Sequence, residues 1–447
     1  MSNQYANFWS QIAVDFARLP RRILKAVISG SMFMKWIYFI PSTLSLRDYI
    51  IICRHMLHSV DIVEGPYIKL YEKAFAEYLG LDYAISFASG RLSLYAILKG
   101  MGIGKGDEVL VQAFTCVVVP NAIINAGAKP VYVDIDPSTY NMDINQIEGR
   151  ISSRTKAIIA QHTFGLPTNM DAIKTIAKKR GLRVIEDCAI ALGAKYKGNK
   201  VGTLGDAAIF SSERSKMIST EMGGLAVTNN PDLAGELRNI QSQCQKPLLD
   251  EVRSILTESL LLEMSKQPAG YSWLKFFSRC YQHLIKVRPT EEEMKGIKSH
   301  DYERQFTNVQ ARIGINQLRS LDYNIEHRKW VTERYEELLP NLGLSLVNIA
   351  ADVNPVFVRY PIYIENAIEA IQYAIRFGVE FGNWFEGVIY PPGVSLKALG
   401  YTPGLCPAAE SAARHIINLP THQRIGKKEV TRIRNVLQTF LSRHKAT

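Results

Sequence analysis

Cysteine is sparse and scattered in this chain. The six cysteines, Cys53, Cys116, Cys188, Cys244, Cys280 and Cys406, form no C-x-x-C pair and no dense cluster among 447 residues. That excludes a disulfide-stapled scaffold and fits a reducing, cytoplasmic compartment. No zinc-finger spacing, RNP-like aromatic motif or arginine-rich tail is present, so no sequence grounds remain for nucleic-acid binding. Long apolar runs are missing too. Ala26 to Ile40 is the longest near the start, and Lys35 interrupts it; a lysine at a bilayer centre costs about 2.5–3.5 kcal/mol. No membrane span is expected. A secretory leader is not legible either, because the first apolar stretch begins only after Arg21 and Arg22 and has no small-residue cleavage pattern behind it. Internal repeats and low-complexity tracts are absent.

What is present is an ordinary globular composition, 47% hydrophobic and 21% charged, with a formal net charge of +11. A chain this long supports two domains with sizeable cores, and its positive balance favours anionic partners such as nucleotides or anionic headgroups. Part of the excess is local. Within residues 1–60, Arg18, Arg21, Arg22, Lys25, Lys35, Arg47 and Arg54 face only Asp15 and Asp48. Trp36 and Tyr38 beside these bases suit a helix lying at a membrane interface, and a helix packed on the protein body fits the same residues.

From Gly65 to about Asn230, short apolar runs alternate with helical ones: Glu108–Val111, Pro130–Asp134, Ala157–Ala160, Arg183–Glu186, Ala207–Phe210 and Gly224–Val227. This alternation predicts an α/β layer with a largely parallel sheet. Two amphipathic helices are expected next, Leu248–Met264 and Trp273–Val287. The second interleaves Lys275, Arg279, Lys286 and Arg288 with aromatics, as a docking or membrane surface does. Helical and strand-like segments return from Val309, among them Gln310–Leu318, Glu326–Leu339 and Val356–Ile364, and predict a smaller α+β unit.

Three constellations carry chemistry. VIEDCA (184–189) places Asp187 at the end of an apolar strand, where ligands of doubly wound sheets gather. A pyridinium nitrogen is one cation that would hold such an acid ionised; a metal ion or a helix cap are others. The segment 209–224 runs from a strand through Ser211 to Lys216 and then to paired glycines. A lysine amine attacks carbonyls when burial or a nearby cation lowers its pKa, and Arg214 is the cation at hand. Ser89-Gly90-Arg91 stands before an amphipathic helix whose first amides form a phosphate seat. A phosphate seat, an acid for a ring nitrogen and a downstream lysine together are the requirements of pyridoxal phosphate catalysis.

The order of these pieces resembles the DegT/StrS-type sugar aminotransferases, a fold-type I pyridoxal phosphate family. The similarity runs through Gly65-Pro66, Glu72, Tyr78-Leu79-Gly80, SGRLSLYAIL (89–98), GIGKGDEVLVQAFT (102–115), NAIINAGAKPVYVDID (121–136), HTFGLPTNMDAI (162–173), VIEDCAIALGAKYKG (184–198) and GTLGDAAIFSS (202–212). It resumes at QARIGINQL (310–318) and CPAAESAARHIINLPTH (406–422). The resemblance implies a large domain over 61–240 that binds pyridoxal phosphate and a small C-terminal domain over 301–447. The basic extension 1–60 and the helical insertion 241–300 lie outside the common pattern. Lys216 matches the lysine that carries the cofactor, and Asp187 matches the acid that keeps the pyridine nitrogen protonated. Ser211, Gly90 and Arg91 match positions around the phosphate, with His162 and Glu186 close by. Sibling dehydratases have His at the lysine position, so Lys216 implies amino transfer.

Several positions depart from the family. Arg91 replaces a threonine and offers a guanidinium for bidentate phosphate binding. Cys116 replaces an aromatic ring that stacks on the cofactor, with Phe114 nearby as a substitute. Ile190 replaces a glutamine near the cofactor's phenolic oxygen, and Gln305 stands where an arginine is often found, with Arg304 one place off. The resemblance implies a homodimeric aminotransferase that moves an amino group from glutamate or glutamine to a keto sugar, nucleotide-linked as the family's usual acceptor is. Peripheral contact with the inner face of the membrane is expected through 1–60 and 246–299. A non-catalytic membrane-associated scaffold and a pyridoxal phosphate-dependent sugar dehydratase or lyase are the alternatives.

Overall fold

The computed structural model describes residues 36–39, 42–58, 61–265 and 290–444. All six apolar runs marked in the sequence become strands of one seven-stranded sheet. Its strands are β1 (Tyr83–Phe87), β2 (Glu108–Gln112), β4 (Lys129–Val133), β5 (Thr155–Gln161), β6 (Arg183–Asp187), β7 (Ala207–Ser211) and β8 (Gly224–Thr228); β3 (Thr115–Cys116) stands apart from them. The spatial order is β1-β8-β7-β6-β5-β2-β4. The strands read as near-continuous apolar runs because both faces are covered. Val109, Val111, Ala157 and Ile159 enter one core, while Leu110, Ile158 and Ala160 enter another with Met170, Ile173 and Ala177.

Five strands, β7 through β4 in that order, are parallel. β8 runs antiparallel to both β7 and β1. No crossover helix joins β7 to β8; residues 212–223 link them as a loop, which an antiparallel pair permits and a parallel pair does not. Two reversals leave β1 pointing the same way as β7. The chain therefore leaves β1, β5, β6 and β7 at one common edge of the sheet, and the Lys216 loop stays at that edge.

Helices α1 (Leu46–His58), α2 (Tyr67–Leu79), α3 (Gly90–Gly100), α4 (Val118–Ala126), α5 (Pro231–Gln243), α6 (Leu249–Ser265), α7 (Asn308–Arg319) and α8 (Leu321–Leu338) pack around this frame. Beyond them, β9 (Arg359–Tyr363) pairs antiparallel with β11 (Ile416–Pro420), and β10 (Ile389–Tyr390) pairs parallel with β3. The last pairing brings the C-terminal half of the chain to the edge where the parallel strands end. α9 (Ala367–Arg376) packs on β11 and on α10 (Lys427–His444), where Ala370, Ala374, Val436 and Phe440 share one core.

Part of the basic N-terminal stretch is tied to this body. Residues 36–39, the end of the stretch expected to be a helix, are not helical, and the rest of that stretch lies outside the described residues. Ile37 bridges to Val379, its amide donating to Gly378 O at 2.9 Å. α1 packs on α7 and α6 through Ile52, Val252, Leu256, Val309 and Ile313. The buried Asp48 carboxylate accepts from Gln317 Nε2 at 2.6 Å and Asn316 Nδ2 at 2.8 Å. α6 forms where the first amphipathic helix was expected, whereas Trp273–Val287 and residues 1–35 lie outside the described residues. Among the described residues no helix is long and apolar enough to cross a membrane.

His422 closes the contact with the 36–39 segment. Its Nδ1 accepts from the Arg424 amide at 3.2 Å, so Nε2 carries the hydrogen donated to Tyr38 O at 2.7 Å. Burial, helped by Arg328 and Arg424, pushes its pKa down from 6.5 to about 3. The unfolded chain thus binds a proton that the folded chain refuses. Stability from this group is complete above about pH 6.5 and falls as the pH drops toward 3. Urea midpoints measured between pH 7 and 5 are expected to fall in the wild type and to fall less steeply in His422→Gln.

Candidate active site

At the common edge, β6 ends in Asp187, 5% exposed, whose Oδ1 accepts from the Ala189 amide at 3.0 Å. Burial pushes this carboxyl above its ordinary value, and Ala189, Lys216 and His162 oppose the shift. An acid so placed is completed by a cationic partner. His162, just after β5, donates its backbone amide to Asp187 O at 3.2 Å. Its ring is fully buried: Nδ1 accepts from the Thr168 amide at 3.1 Å and Nε2 lies 3.1 Å from Glu186 Oε2. Glu186 also accepts from the amides of Gly202 at 2.8 Å and of Leu204 and Gly205 at 2.7 Å each. Both ring nitrogens of His162 are committed within the protein, so the pair braces the ends of β5 and β6 and offers no free nitrogen to a ligand.

On the other side of the edge, β1 leads into α3. Ser89 caps the helix by accepting from the Leu92 amide at 3.3 Å, which leaves the amides of Gly90 and Arg91 as helix-start donors without intrahelical partners. Glycine is required here by closeness. A Cβ on Gly90 would stand 3.2 Å from Ser211 Cβ, and a Cβ on Gly224 would stand 2.4 Å from the Gly90 nitrogen. The start of α3, Ser211 at the end of β7 and the start of β8 thus form one cradle suited to an anion.

The Arg91 guanidinium does not face that cradle. It is buried in an ion pair with Glu293 and lies 5.6 Å from the Tyr302 ring centroid, while its carbonyl accepts from Tyr302 Oη at 3.1 Å. The expected bidentate grip on phosphate is corrected accordingly: the threonine-to-arginine departure is absorbed by an acid from residues 241–300, and position 91 offers the cradle its backbone amide.

Lys216 sits in the 212–223 loop, half-buried, and the loop is pinned from several directions. Ser212 Oγ meets Thr220 Oγ1 at 2.7 Å, Asn324 Nδ2 donates to Met217 O at 2.7 Å, and Gln310 Nε2 donates to Met222 O at 2.8 Å. Arg214 Nε donates to the buried Glu221 at 2.7 Å, and its Nη1 reaches Glu258 of α6 at 3.1 Å. Arg214 is therefore paired and is not the cation acting on the lysine. Burial lowers the Lys216 pKa most; Glu213 opposes this, and Arg359 of β9 lowers it further.

The aromatic ring beside Lys216 comes from an unexpected place. Phe114, at φ 65°, turns into a cluster with Tyr140, Phe164 and Phe385 and does not replace the ring missing at Cys116. Trp384 stands beside the lysine, its ring centroid 5.0 Å from Lys216 Nζ and 3.5 Å from Arg359 Cζ. Ile190 lies in an apolar cluster with Met217 and Ile218 and adds no polar atom. Arg304 is tied to Gln245, Lys246 and Glu251, and Gln305 Nε2 to Gln241 O. Sequence reasoning missed Trp384 and Arg359. The available signal was an arginine inside the apolar strand Val356–Ile364.

The cradle is directly testable. Gly224→Ala is expected to cost about 1–3 kcal/mol through overpacking and to abolish pyridoxal phosphate binding, read by thermal unfolding and by titration with the cofactor. Gly235→Ala, whose Cβ meets nothing within 4 Å, is expected to leave cofactor binding intact.

Comparison with known proteins shows the family. The model of the DegT/DnrJ/EryC1/StrS aminotransferase family matches residues 48–438. The GDP-perosamine synthase of Caulobacter vibrioides is 32% identical over 403 residues, 88% of this chain and 95% of the relative. The UDP-N-acetyl-3-dehydro-alpha-D-glucosamine 3-aminotransferase of Acidithiobacillus ferrooxidans is 30% identical over 402 residues, 89% and 95% respectively. Among solved structures, S. venezuelae DesV superposes with a TM-score of 0.71 at 25% identity, covering 91% of this chain and 99% of its own. With its pyridoxal phosphate-type α/β fold and a match over most of its length, the chain belongs to the DegT/DnrJ/EryC1/StrS aminotransferase family.

Proposed function

We propose that this protein transfers an amino group from an amino acid, glutamate or glutamine, to the keto group of a nucleotide-linked sugar. The observation that carries this reading is the enclosed Lys216 amine at the same sheet edge as Asp187 and the α3 cradle. The donor set fits pyridoxal phosphate: a glycine-lined helix start and Ser211 for phosphate, a buried carboxyl for a ring nitrogen, and an amine of lowered basicity for an aldehyde. When bound, the cofactor supplies a ring that stabilises negative charge on the carbon bearing the amino group.

The chain's own residues then have distinct tasks. The amides of Gly90 and Arg91, with Ser211 Oγ, hold the phosphate. Asp187 holds a proton on the ring nitrogen, and the His162–Glu186 brace keeps that carboxyl in line. Lys216 Nζ takes and returns the proton at the reacting carbon, since burial and Arg359 keep a larger fraction of it neutral than an exposed lysine has. Trp384, whose ring stands 5.0 Å from Nζ, keeps water from the amine.

The names of the relatives support a nucleotide-linked acceptor, and the net charge of +11 suits a diphosphate. On this reading residues 61–240 form the cofactor-binding part and 301–447 the smaller part, and two copies assemble as a homodimer. Leu46, Ile50 and Leu57 are exposed on α1 beside Arg47 and Arg54, which supports peripheral contact with an anionic membrane. Leu46→Glu combined with Leu57→Glu is expected to lower flotation with phosphatidylglycerol vesicles at least tenfold; unchanged flotation contradicts the membrane contact.

The transfer itself is tested with 15N-labelled glutamate and a nucleotide-linked keto sugar. The label is expected in an amino sugar, with Lys216→Ala slower by at least about 10³-fold. Loss of a sugar hydroxyl with no label transferred would assign a dehydratase instead.

A further inference from the structure

Among the described residues, the buried and half-buried arginines around the site have charged or hydrogen-bonding partners, and Arg359 is the exception. Arg91 pairs with Glu293, and Arg214 with Glu221 and Glu258. Arg328, 3% exposed, bonds Asn324 Oδ1 at 3.0 Å, Val358 O at 2.9 Å and Thr421 Oγ1 at 2.8 Å. Arg359, also 3% exposed, has no hydrogen-bond partner for either Nη1 or Nη2 and no ion pair among the described residues. Its neighbours are π faces: Trp384 at 3.5 Å from Cζ and Phe39 at 5.2 Å. The nearby acids are engaged elsewhere. Glu213 accepts from the Ser215 amide at 3.1 Å and from its Oγ at 2.6 Å, and Asp187 accepts from Ala189.

Burial lowers the Arg359 pKa to about 9, so the group is still a cation at neutral pH. A buried cation with two unmatched N–H-bearing nitrogens is costly to keep, and the flat aromatic walls beside it supply no acceptor for them. The guanidinium and Lys216 Nζ both lie against the Trp384 ring, and Arg359 acts on the amine electrostatically, so the two cations belong to one site. A planar anion one bond from the reacting carbon matches the fork.

We propose that Arg359 is a carboxylate receptor of this site, a specificity-determining residue whose Nη1 and Nη2 take a substrate carboxylate in a bidentate pair. This rests on the function proposed above. Two sources supply such a group: the α-carboxylate of the amino-acid donor, or a carboxylate on an acidic sugar. The closeness of Arg359 to Lys216 favours the donor.

Calorimetric titration of the pyridoxal phosphate-loaded protein tests this without any turnover. Glutarate, which has no amino group to transfer, probes the donor carboxylate, and UDP-glucuronate against UDP-glucose probes a sugar carboxylate. Glutarate affinity is expected to fall 30- to 100-fold in Arg359→Gln, and at least tenfold in Arg359→Lys, which keeps the charge and loses the fork. UDP-glucose binding and the amount of cofactor bound are expected to stay as in the wild type. Loss of the preference for UDP-glucuronate with unchanged glutarate binding would assign the same receptor to the sugar. If both variants bind glutarate and UDP-glucuronate as the wild type does, or the wild type binds neither at about 10 mM, the proposal is overturned. Should Arg359→Gln not fold, the lysine variant decides alone. Because glutarate undergoes no chemistry, a wild type that binds it through Arg359 yet transfers no label from glutamate would count against the proposed function only.

Discussion

The Lys216 amine must be withdrawn from water and still be reached by a substrate, and the fold meets that constraint through one reversal of chain direction. Because β8 returns antiparallel to β7, the connecting loop needs no crossover helix and remains at the edge where β1, β5, β6 and β7 also end. Enclosure then comes from elsewhere in the chain: Trp384 from the C-terminal half, and Arg214, which anchors the loop to Glu221 and to Glu258 of α6. Burial lowers the lysine's basicity, and a second cation, Arg359, lowers it further. Asp187 is shifted the opposite way by the same lack of water. The site thus holds an acid and a base whose environments push their protonation toward neutrality, a pattern of groups prepared for a charged ligand.

Segments that look like additions to the family pattern take part in this construction. Glu293 neutralises the buried Arg91, so a guanidinium occupies a position where a short hydroxyl is usual without disturbing the amides at the start of α3. Glu258, on α6, holds Arg214. α1 is bound to α7 by Asp48 and to α6 through a small apolar core, leaving Leu46, Ile50 and Leu57 outward. Residues within 241–300 therefore brace the start of α3 and the Lys216 loop as well as adding surface to the molecule.

Much of the sheet was legible because each strand carries its own signal. Val109 to Val111 and Ala157 to Ala160 are apolar throughout, as strands covered on both faces must be. β1 was not marked, since Tyr83 to Phe87 includes Ser86, which is satisfied by the buried Glu72 of α2 rather than by solvent. Asp187 was legible as an acid ending an apolar run, and Ser89-Gly90-Arg91 as a helix start able to seat an anion. Lys216 acquired meaning only with its neighbours. The partners of Arg91, Arg214 and Arg359 were not legible, because each is fixed by packing between distant segments: Glu293, Glu258 and Trp384 lie far along the chain from the phosphate and lysine motifs. Likewise the ring missing at Cys116 reads as a loss in sequence, whereas an indole from residue 384 stands next to the amine.

Direct location of the cofactor tests the central claim, that the enclosed Lys216 amine is the one that carries it. The loaded protein is reduced with borohydride, digested, and the modified lysine identified by mass spectrometry. A single modified peptide containing Lys216 is the expected result. Stoichiometric modification of any other lysine, with Lys216 untouched, would contradict it.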